Sequence, residues 1–264
     1  MRNLCMVVGY DGSGYFGFQT QPGHNTIQDK IEAAIFNLTG ERLKITASGR
    51  TDAGVHARAQ VFNFYTESTI PLERWCMALN TRLPRDIVLQ SAIEVPMAFH
   101  SRRDALRKTY CYTIDPNRFQ EPHMRHLHVH HPRKLDVAAM RRSLPCLLGQ
   151  HDFSSFVSSL STVPHHVRTI YRAELNEVPI AGACRADALP LLQIRITGSG
   201  FLRNMVRIIV GTLLQIGVGR RSSDEMPGIL AARDRAKAGP TAESHGLMLW
   251  EVEYDICLDS GSKV

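Results

Sequence analysis

The residues best suited to chemistry stand close together in the segment 48–57. Asp52 follows Arg50 by two positions and precedes His56 by four, with a glycine on each side of the carboxylate. Glycine permits backbone angles that other residues avoid, so the pattern is typical of a tight loop. A plain turn explains the glycines, but it does not need an arginine, an aspartate and a histidine packed together. We therefore favour a functional loop presented by flanking strands.

Hydrolysis is one reaction that an aspartate can support. Glycosidic or phosphate hydrolysis usually needs a second carboxylate or a set of metal-binding acids. The Asp52 segment contains no second acidic residue. The sequence therefore disfavours an aspartate-dependent hydrolase.

A second group of candidate functional residues lies in a helix predicted over residues 201–216. Arg203 and Arg207 stand four positions apart on one side, with Asn204 beside them. One interpretation is a solvated basic edge. The other is that one arginine pairs with a carboxylate in a cleft and the other meets phosphate. The preceding Gly198-Ser199-Gly200 lacks the spacing of dinucleotide or Walker motifs, so we predict no nucleotide cofactor.

A predicted strand around Lys108–Tyr112 places Tyr110 and Tyr112 on one face. Paired tyrosines on a strand are commonly ordinary packing. The alternative is a ring that stacks on an exposed base, which is frequent in single-strand RNA recognition.

Five histidines form a dense cluster in a segment bracketed by prolines, namely His123, His126, His128, His130 and His131. Such a cluster can bind zinc. No cysteine or carboxylate with ligand spacing accompanies it, so we interpret the segment as a polar loop and predict no metal site.

Composition indicates a folded protein with a polyanionic partner. The 264 residues are 44% hydrophobic and 21% charged, and lysine plus arginine exceed aspartate plus glutamate by 31 − 25 = 6. That excess favours nucleic acid. Its basic residues come as dispersed doublets, which fits a broad folded surface: Arg102-Arg103, Arg107-Lys108, Arg133-Lys134, Arg141-Arg142 and Arg220-Arg221.

Cysteine usage and hydropathy indicate the compartment. The six cysteines lie far apart and form no CxxC pair, which indicates reduced thiols and a cytoplasmic protein. The longest apolar stretch, residues 205–219, is too short to span a bilayer, and the first residues resemble no signal peptide. We predict no membrane partner.

The first half of the chain predicts strand, helix, strand, strand, helix, strand. The expected strands are 4–10, 42–47, 58–65 and 87–95. The first helix should be capped by Asn25, with Gln28 completing a capping box, and should end at Gly40. The second helix should run from Pro71 to Pro84.

The second half is expected to repeat this order. Strands are expected at 107–114, 166–178, 189–197 and 246–254, and helices at 135–148, 201–216 and 224–233. We therefore predict an α+β protein of two tandem split βαβ units, of the ferredoxin or RNA-recognition kind, whose mainly antiparallel sheets form a central cleft. The predicted domains are residues 1–100, carrying the aspartate, and 101–264, with the boundary near 96–104.

The segment Ser48–Ala57 resembles the signature of tRNA pseudouridine synthases of the TruA type. Other stretches match in the same order and cover nearly the whole chain: Gly9-Tyr10-Asp11-Gly12 through Phe18-Gln19, Thr26-Ile27-Gln28, Phe99-His100-Ser101-Arg102, Lys108–Tyr112, Gly198–Leu202, Met205-Val206-Arg207 and Gly246-Leu247.

This resemblance implies an isomerase that converts uridine to pseudouridine in the anticodon stem-loop of tRNAs, at nucleotide positions 38 to 40. It implies that Asp52 is the nucleophile, that Tyr110 packs on the target base and that Arg207 pairs with the aspartate. Arg50 would help to hold the flipped-out uridine, and Leu247 would line the apolar pocket. Whether the aspartate attacks ribose C1′ or uracil C6, and in which tRNAs, stays open.

Three further expectations follow from the resemblance. Arg203 would be an additional substrate contact. The reaction involves no redox change and no group donor, so no cofactor is expected. The protein would act as a homodimer whose two subunits both contact tRNA. The competing hypothesis is a non-catalytic RNA-binding module of two RNA-recognition-like units, which would not need Asp52.

Overall fold

The computed structural model describes residues 1–159, 163–180 and 188–256. Two compact units make up the chain. The first contains Met1–Lys108 and Met248–Val264, and the second contains Thr109–Leu247. Each unit combines helices with a mostly antiparallel sheet, which confirms the α+β class.

The first unit contains strands β1 to β4, helices α1 and α2, and all but the first residue of β10. Their bounds are β1 Arg2–Tyr10, α1 Ile27–Thr39, β2 Thr46–Ala47, β3 His56–Thr66, α2 Trp75–Asn80, β4 Ile87–Val95 and β10 Leu247–Glu253. Strand β1 is antiparallel to β3 on one side and to β4 on the other. On its remaining edge, β3 pairs with β2 in antiparallel fashion and with β10 in parallel fashion.

The second unit contains the remaining elements, which are β5 Arg107–Asp115 (from Thr109), β6 Val129–His130, α3 Val137–Arg142, β7 Gly149–Asp152, β8 Val167–Val178, β9 Leu191–Gly198, α4 Met205–Gly217 and α5 Glu225–Ala232. The strand order is β5-β9-β8-β7, with the short β6 parallel to β5. Strand β8 is antiparallel to both β7 and β9.

Helix α1 shows how the local sequence sets an element's ends. Its cap is Thr26, whose hydroxyl accepts from the backbone N–H of Asp29, and not Asn25 as predicted. Asn25 is unavailable because its side chain donates to the carbonyl of Gly14. The predicted end is confirmed: Gly40 adopts a φ of 77° and closes the last turn.

Four other element predictions were too long. Only Thr46–Ala47 of the strand predicted at 42–47 forms, because the backbone N–H of Ile45 donates to the Glu32 carboxylate instead of joining the sheet. Helix α3 stops at Arg142, ahead of a proline that begins a separate short 3₁₀ helix.

The helix predicted from Phe201 begins only at Met205, since Asn204 before it is left-handed. The helix predicted between Pro71 and Pro84 is a 3₁₀ turn followed by α2, which ends at Asn80.

The compact units differ from the division predicted at residue 100. Met248 and the residues that follow it group with the first unit, because β10 pairs with His56 and Ala57 of β3. The functional domains, the tandem split βαβ arrangement and the cleft stay predictions.

Two expectations concern thiols and membranes. Cys5 and Cys111 are buried, and Cys76 and Cys146 are half-buried, all four as free thiols. Cys184 and Cys257 lie outside the described residues. No helix in the described ranges has the length and apolar character needed to cross a membrane.

Candidate active site

Asp52 is half-buried in the loop that joins β2 to β3, which we call the aspartate loop (residues 48–55). Arg50 is exposed on the same loop. A second loop follows β1 and carries most of the early glycines; we call it the glycine loop (residues 11–19). The two loops are held together by hydrogen bonds and by close packing.

Three hydrogen bonds join the aspartate loop to Tyr10, the last residue of β1, and to the glycine loop. The Tyr10 hydroxyl and the Thr51 Oγ1 lie 2.8 Å apart, and the backbone N–H of Phe18 donates to the Thr51 carbonyl over 3.1 Å. The backbone N–H of Gly54 donates to the Tyr15 carbonyl over 3.3 Å. The residues immediately before and shortly after Asp52 are therefore anchored, which limits the positions open to its carboxylate.

Glycine is required where the two loops touch. A Cβ on Gly12 would lie 2.1 Å from the Val55 carbonyl oxygen, and one on Gly17 would lie 2.6 Å from the Thr51 carbonyl oxygen. Gly17 also has a φ of 90°, which disfavours any other residue. Gly12 and Gly17 therefore allow close backbone contact with the aspartate loop.

The start of the aspartate loop is fixed by a buried polar group of side chains. Gln60 accepts from the Ser48 hydroxyl over 2.5 Å and donates to the Gly49 carbonyl over 3.0 Å. The Lys108 ammonium donates to the Ser48 carbonyl. Burial, and then the nearby charge of Arg102, lower the pKa of Lys108 to about 8.

The remaining predicted site residues lie in the second unit. Tyr110 is buried on β5, with its ring edge-on to Phe201 at 5.1 Å between centroids and 87° between planes. Leu247 is buried at the start of β10. Arg203 is exposed, and its carbonyl accepts from the backbone N–H of Ser158.

Arg207 lies in the first turn of α4 and is half-buried. Its Nε donates to the Ala242 carbonyl over 2.7 Å, and one terminal nitrogen donates to Asn204 Oδ1 over 3.0 Å. These bonds hold the guanidinium in one orientation.

Sequence reasoning identified the aspartate loop but missed its supports. The Tyr10–Thr51 bond, the Gly17 contact and the Lys108 tether were not predicted. The glycine-rich composition of residues 11–19 was a usable signal, because glycines permit close backbone approach. Nothing local in the sequence indicates that Lys108 reaches Ser48, sixty positions earlier.

The histidine-rich segment serves hydrogen bonding in the described structure. His130 Nε2 lies 2.8 Å from the Asn117 carbonyl oxygen, and burial lowers the pKa of His128. Across residues 1–159, 163–180 and 188–256, no group of three or more histidine, cysteine or acidic side chains has a metal-binding arrangement.

A basic cleft lies at the C-terminal end of α4. Its lining includes Lys134, Arg142 and Arg221, one from each of three basic doublets. In the part of the chain that the structure describes, no hydrogen bond or ion pair holds the side chains of Lys134 and Arg142, whereas Arg221 contacts Gln215 and Glu225. The lining therefore has a net positive charge, with three basic side chains against the one carboxylate of Asp136.

An α+β fold with a positively charged surface is typical of a protein that acts on RNA. The family model described as tRNA pseudouridine synthase matches residues 6–103 and 146–255. The chain belongs to this family, as its motifs predicted. It is therefore an isomerase that converts uridine to pseudouridine in tRNA.

Similar proteins named tRNA pseudouridine synthase A support this assignment over their full length. The protein of Brevibacillus brevis is 45% identical over 257 residues, covering 96% of this chain and 100% of the relative. The Bacillus subtilis protein is 44% identical, covering 97% and 100%. The Moorella thermoacetica protein is 46% identical, covering 96% and 100%.

Proposed function

We propose that this enzyme isomerises uridines in the anticodon stem-loop of tRNA, at nucleotide positions 38 to 40, with Asp52 as the nucleophile. The observation that carries this proposal is the anchoring of the aspartate loop. Backbone and side-chain bonds reach Thr51 and Gly54 on either side of Asp52. A nucleophile held in place in advance loses less freedom on reaching the transition state.

The reaction explains why a single carboxylate suffices. The C–N glycosidic bond breaks, the uracil rotates, and a C–C bond forms between uracil C5 and ribose C1′ while C5 loses its proton. Overall nothing is gained or lost, because the proton that leaves C5 passes to solvent and uracil N1 takes up a proton in its place. An ionised aspartate supports this sequence by forming and releasing a covalent adduct.

The target atoms are hidden in the RNA stack, so the uridine must be turned out of it. In the proposal Tyr110 stacks on the everted base, and its edge-on contact with Phe201 supports the ring from one side. Arg50 helps to hold the everted state, Leu247 lines the pocket and Arg203 contacts the substrate.

Arg207 completes the proposed site by pairing with Asp52. An arginine beside a carboxylate favours its charged form. The orientation of Arg207 by Asn204 and Ala242 is the support for this assignment.

The finer architecture belongs to the same proposal. Two tandem split βαβ units would form a central cleft for the RNA. In the first unit, β1 lies between β3 and β4 in an all-antiparallel arrangement, which supports a split βαβ unit. We further propose a cytoplasmic homodimer in which tRNA contacts both subunits.

The test uses tRNA transcripts carrying tritium at uracil C5, because isomerisation releases that label into water. We expect Asp52→Asn and Asp52→Ala to abolish release while tRNA binding in a filter assay stays near the wild-type level. The control is Asp224→Asn, which removes an exposed carboxylate whose side chain caps no helix. Release by either Asp52 variant would exclude the nucleophile role.

The stacking role is tested separately. Tyr110→Phe keeps the ring and should bind normally but turn over slowly, whereas Tyr110→Ala should lose both binding and rate. Normal kinetics in the alanine variant would contradict stacking by this residue.

A further inference from the structure

Asn204 has an unusual backbone conformation. Its φ is 61° and its ψ is 7°, and Arg233 is the one other non-glycine residue with positive φ in the described ranges. The left-handed conformation costs a side-chain-bearing residue about 1 kcal/mol, although asparagine tolerates it better than most residues. A glycine would avoid this cost, which indicates that the asparagine side chain makes a favourable contact here.

The side chain does not supply a helix cap. Asn204 stands at the N-cap of α4, where an asparagine oxygen normally accepts from a backbone N–H in the first turn. No such bond forms. Oδ1 instead accepts from a terminal nitrogen of the Arg207 guanidinium over 3.0 Å. Because a guanidinium can only donate, the amide must turn its oxygen toward it.

A second segment holds the other side of Arg207. We call residues 239–242 the strap, since they cross α4 in close contact. Ala242 accepts from Arg207 Nε over 2.7 Å, and its backbone N–H donates to the Arg207 carbonyl over 3.1 Å. The backbone N–H of Gly239 donates to Thr212 Oγ1 over 2.8 Å.

The strap reaches this position because both crossing points are glycines. A Cβ on Gly211 would lie 1.8 Å from the Pro240 carbonyl oxygen, and one on Gly239 would lie 2.7 Å from Thr212 Cα. The strap is therefore a fixed support, and its carbonyl fixes one direction of the guanidinium. A second acceptor is needed to fix the plane of the guanidinium, and Asn204 Oδ1 provides it.

We propose that Asn204 is a positioning residue for isomerisation, which accepts an unfavourable backbone angle in order to aim the Arg207 guanidinium. This inference rests on the proposed role of Arg207 as the partner of the aspartate. If the guanidinium rotates out of position, it keeps its charge but loses the paired hydrogen bonds that its planar shape allows. Loss of the Asn204 bond should therefore slow the chemical step more than it weakens tRNA binding.

The experiment compares Asn204→Gly with Asn204→Asp in single-turnover tritium release. The glycine keeps the backbone angle and removes the acceptor, so the rate at saturating tRNA should fall roughly tenfold. The tRNA concentration that gives half of this rate should change little. The melting temperature should stay the same or rise, because glycine relieves strain. The aspartate keeps an acceptor and should recover most of the rate. The matched control is Arg233→Gly, which relieves the other left-handed residue and should leave the rate unchanged.

A double-mutant cycle separates this inference from the proposed function. In an Arg207→Ala background, Asn204→Gly should have no further effect, since the two residues act as one unit. An equal slowing in both backgrounds would overturn the positioning role. If Arg207→Ala slows release but Asn204→Gly does not, the inference about Asn204 fails alone. If Arg207→Ala has the wild-type rate, the proposed role of Arg207 fails first.

Discussion

The backbone N–H of Gly12 donates a hydrogen bond to Nδ1 of His56 over 3.1 Å and so joins the glycine loop to the start of β3. His56 is only 1% exposed. Asp11 Oδ1 also lies 3.1 Å from this nitrogen. Nδ1 can accept from Gly12 only when it carries no proton, since a protonated ring would donate from Nδ1 to Asp11 instead. His56 thus acts as a fixed acceptor beside the aspartate loop.

The first prediction concerns this acceptor. His56→Ala leaves the Gly12 N–H without its partner in a buried site, which should cost about 1 to 3 kcal/mol of stability and slow tritium release. His56→Asn places an amide oxygen near the position of Nδ1 and should recover part of both losses. His56→Gln, whose amide lies one bond further out, is the matched control. Equal behaviour of Asn and Gln would argue that the ring is needed for packing alone.

The second prediction compares two glycines of the same loop. Gly12→Ala forces a Cβ to 2.1 Å from the Val55 carbonyl, so the backbone of one loop must move. We expect a loss of about 1 to 3 kcal/mol in unfolding free energy and a large loss of activity. A Cβ on Gly14 meets nothing within 4 Å, so Gly14→Ala should be close to neutral in both assays. Similar losses in the two variants would mean that flexibility, rather than close contact, explains these glycines.

The third prediction is a pH dependence from Lys108. The pKa of Lys108 falls from 10.5 to about 8 in the folded protein, through burial first and Arg102 second. Below about pH 8 both the folded and unfolded states are protonated, and the cost of burying the charge is fully present. Between the two pKa values the unfolded state binds more protons, so stability rises with pH.

The comparison is between wild type and Lys108→Met in urea unfolding at several pH values. Wild type should gain stability relative to the variant as the pH rises above about 8. The lost bond to the Ser48 carbonyl adds an offset that does not depend on pH. In Arg102→Gln the onset of the gain should move to higher pH. A difference that stays constant between neutral pH and about pH 10 would show that the ammonium has an ordinary pKa.

Local sequence patterns were sufficient for much of the fold. The strands predicted at 4–10, 58–65 and 87–95 form within a few residues of those bounds, because alternating apolar residues suit a half-buried strand. The end of α1 at Gly40 was also predictable, since the glycine alone permits the closing conformation.

Features that depend on particular side-chain contacts were not predictable. The strand expected at 42–47 is mostly absent because Glu32, on the preceding helix, accepts a hydrogen bond from the backbone N–H of Ile45. The start of α4 depends on Asn204, whose conformation is supported by its bond to Arg207. At both places the local pattern predicts a longer strand or helix, but a side-chain contact prevents it.

The fourth prediction concerns the basic cleft at the end of α4. Arg207 and Gly217 stand at opposite ends of this helix, separated by roughly 15 Å at 1.5 Å per residue. A tRNA whose target uridine lies near Arg207 therefore has other phosphates within reach of the cleft. The one acidic residue that lines the cleft is Asp136, whose carboxylate accepts from the backbone N–H of Ala139.

We expect the double variant Lys134→Gln, Arg142→Gln to weaken tRNA binding and to lower the slope of log affinity against log salt by roughly one per lost phosphate contact. The single-turnover rate at saturating tRNA should not change. The matched control removes the same charge from paired positions, Arg141→Gln with Arg172→Gln, whose side chains already contact Glu177 and Glu174. If both double variants reduce the slope equally, net charge alone explains the affinity and the cleft has no special part in it.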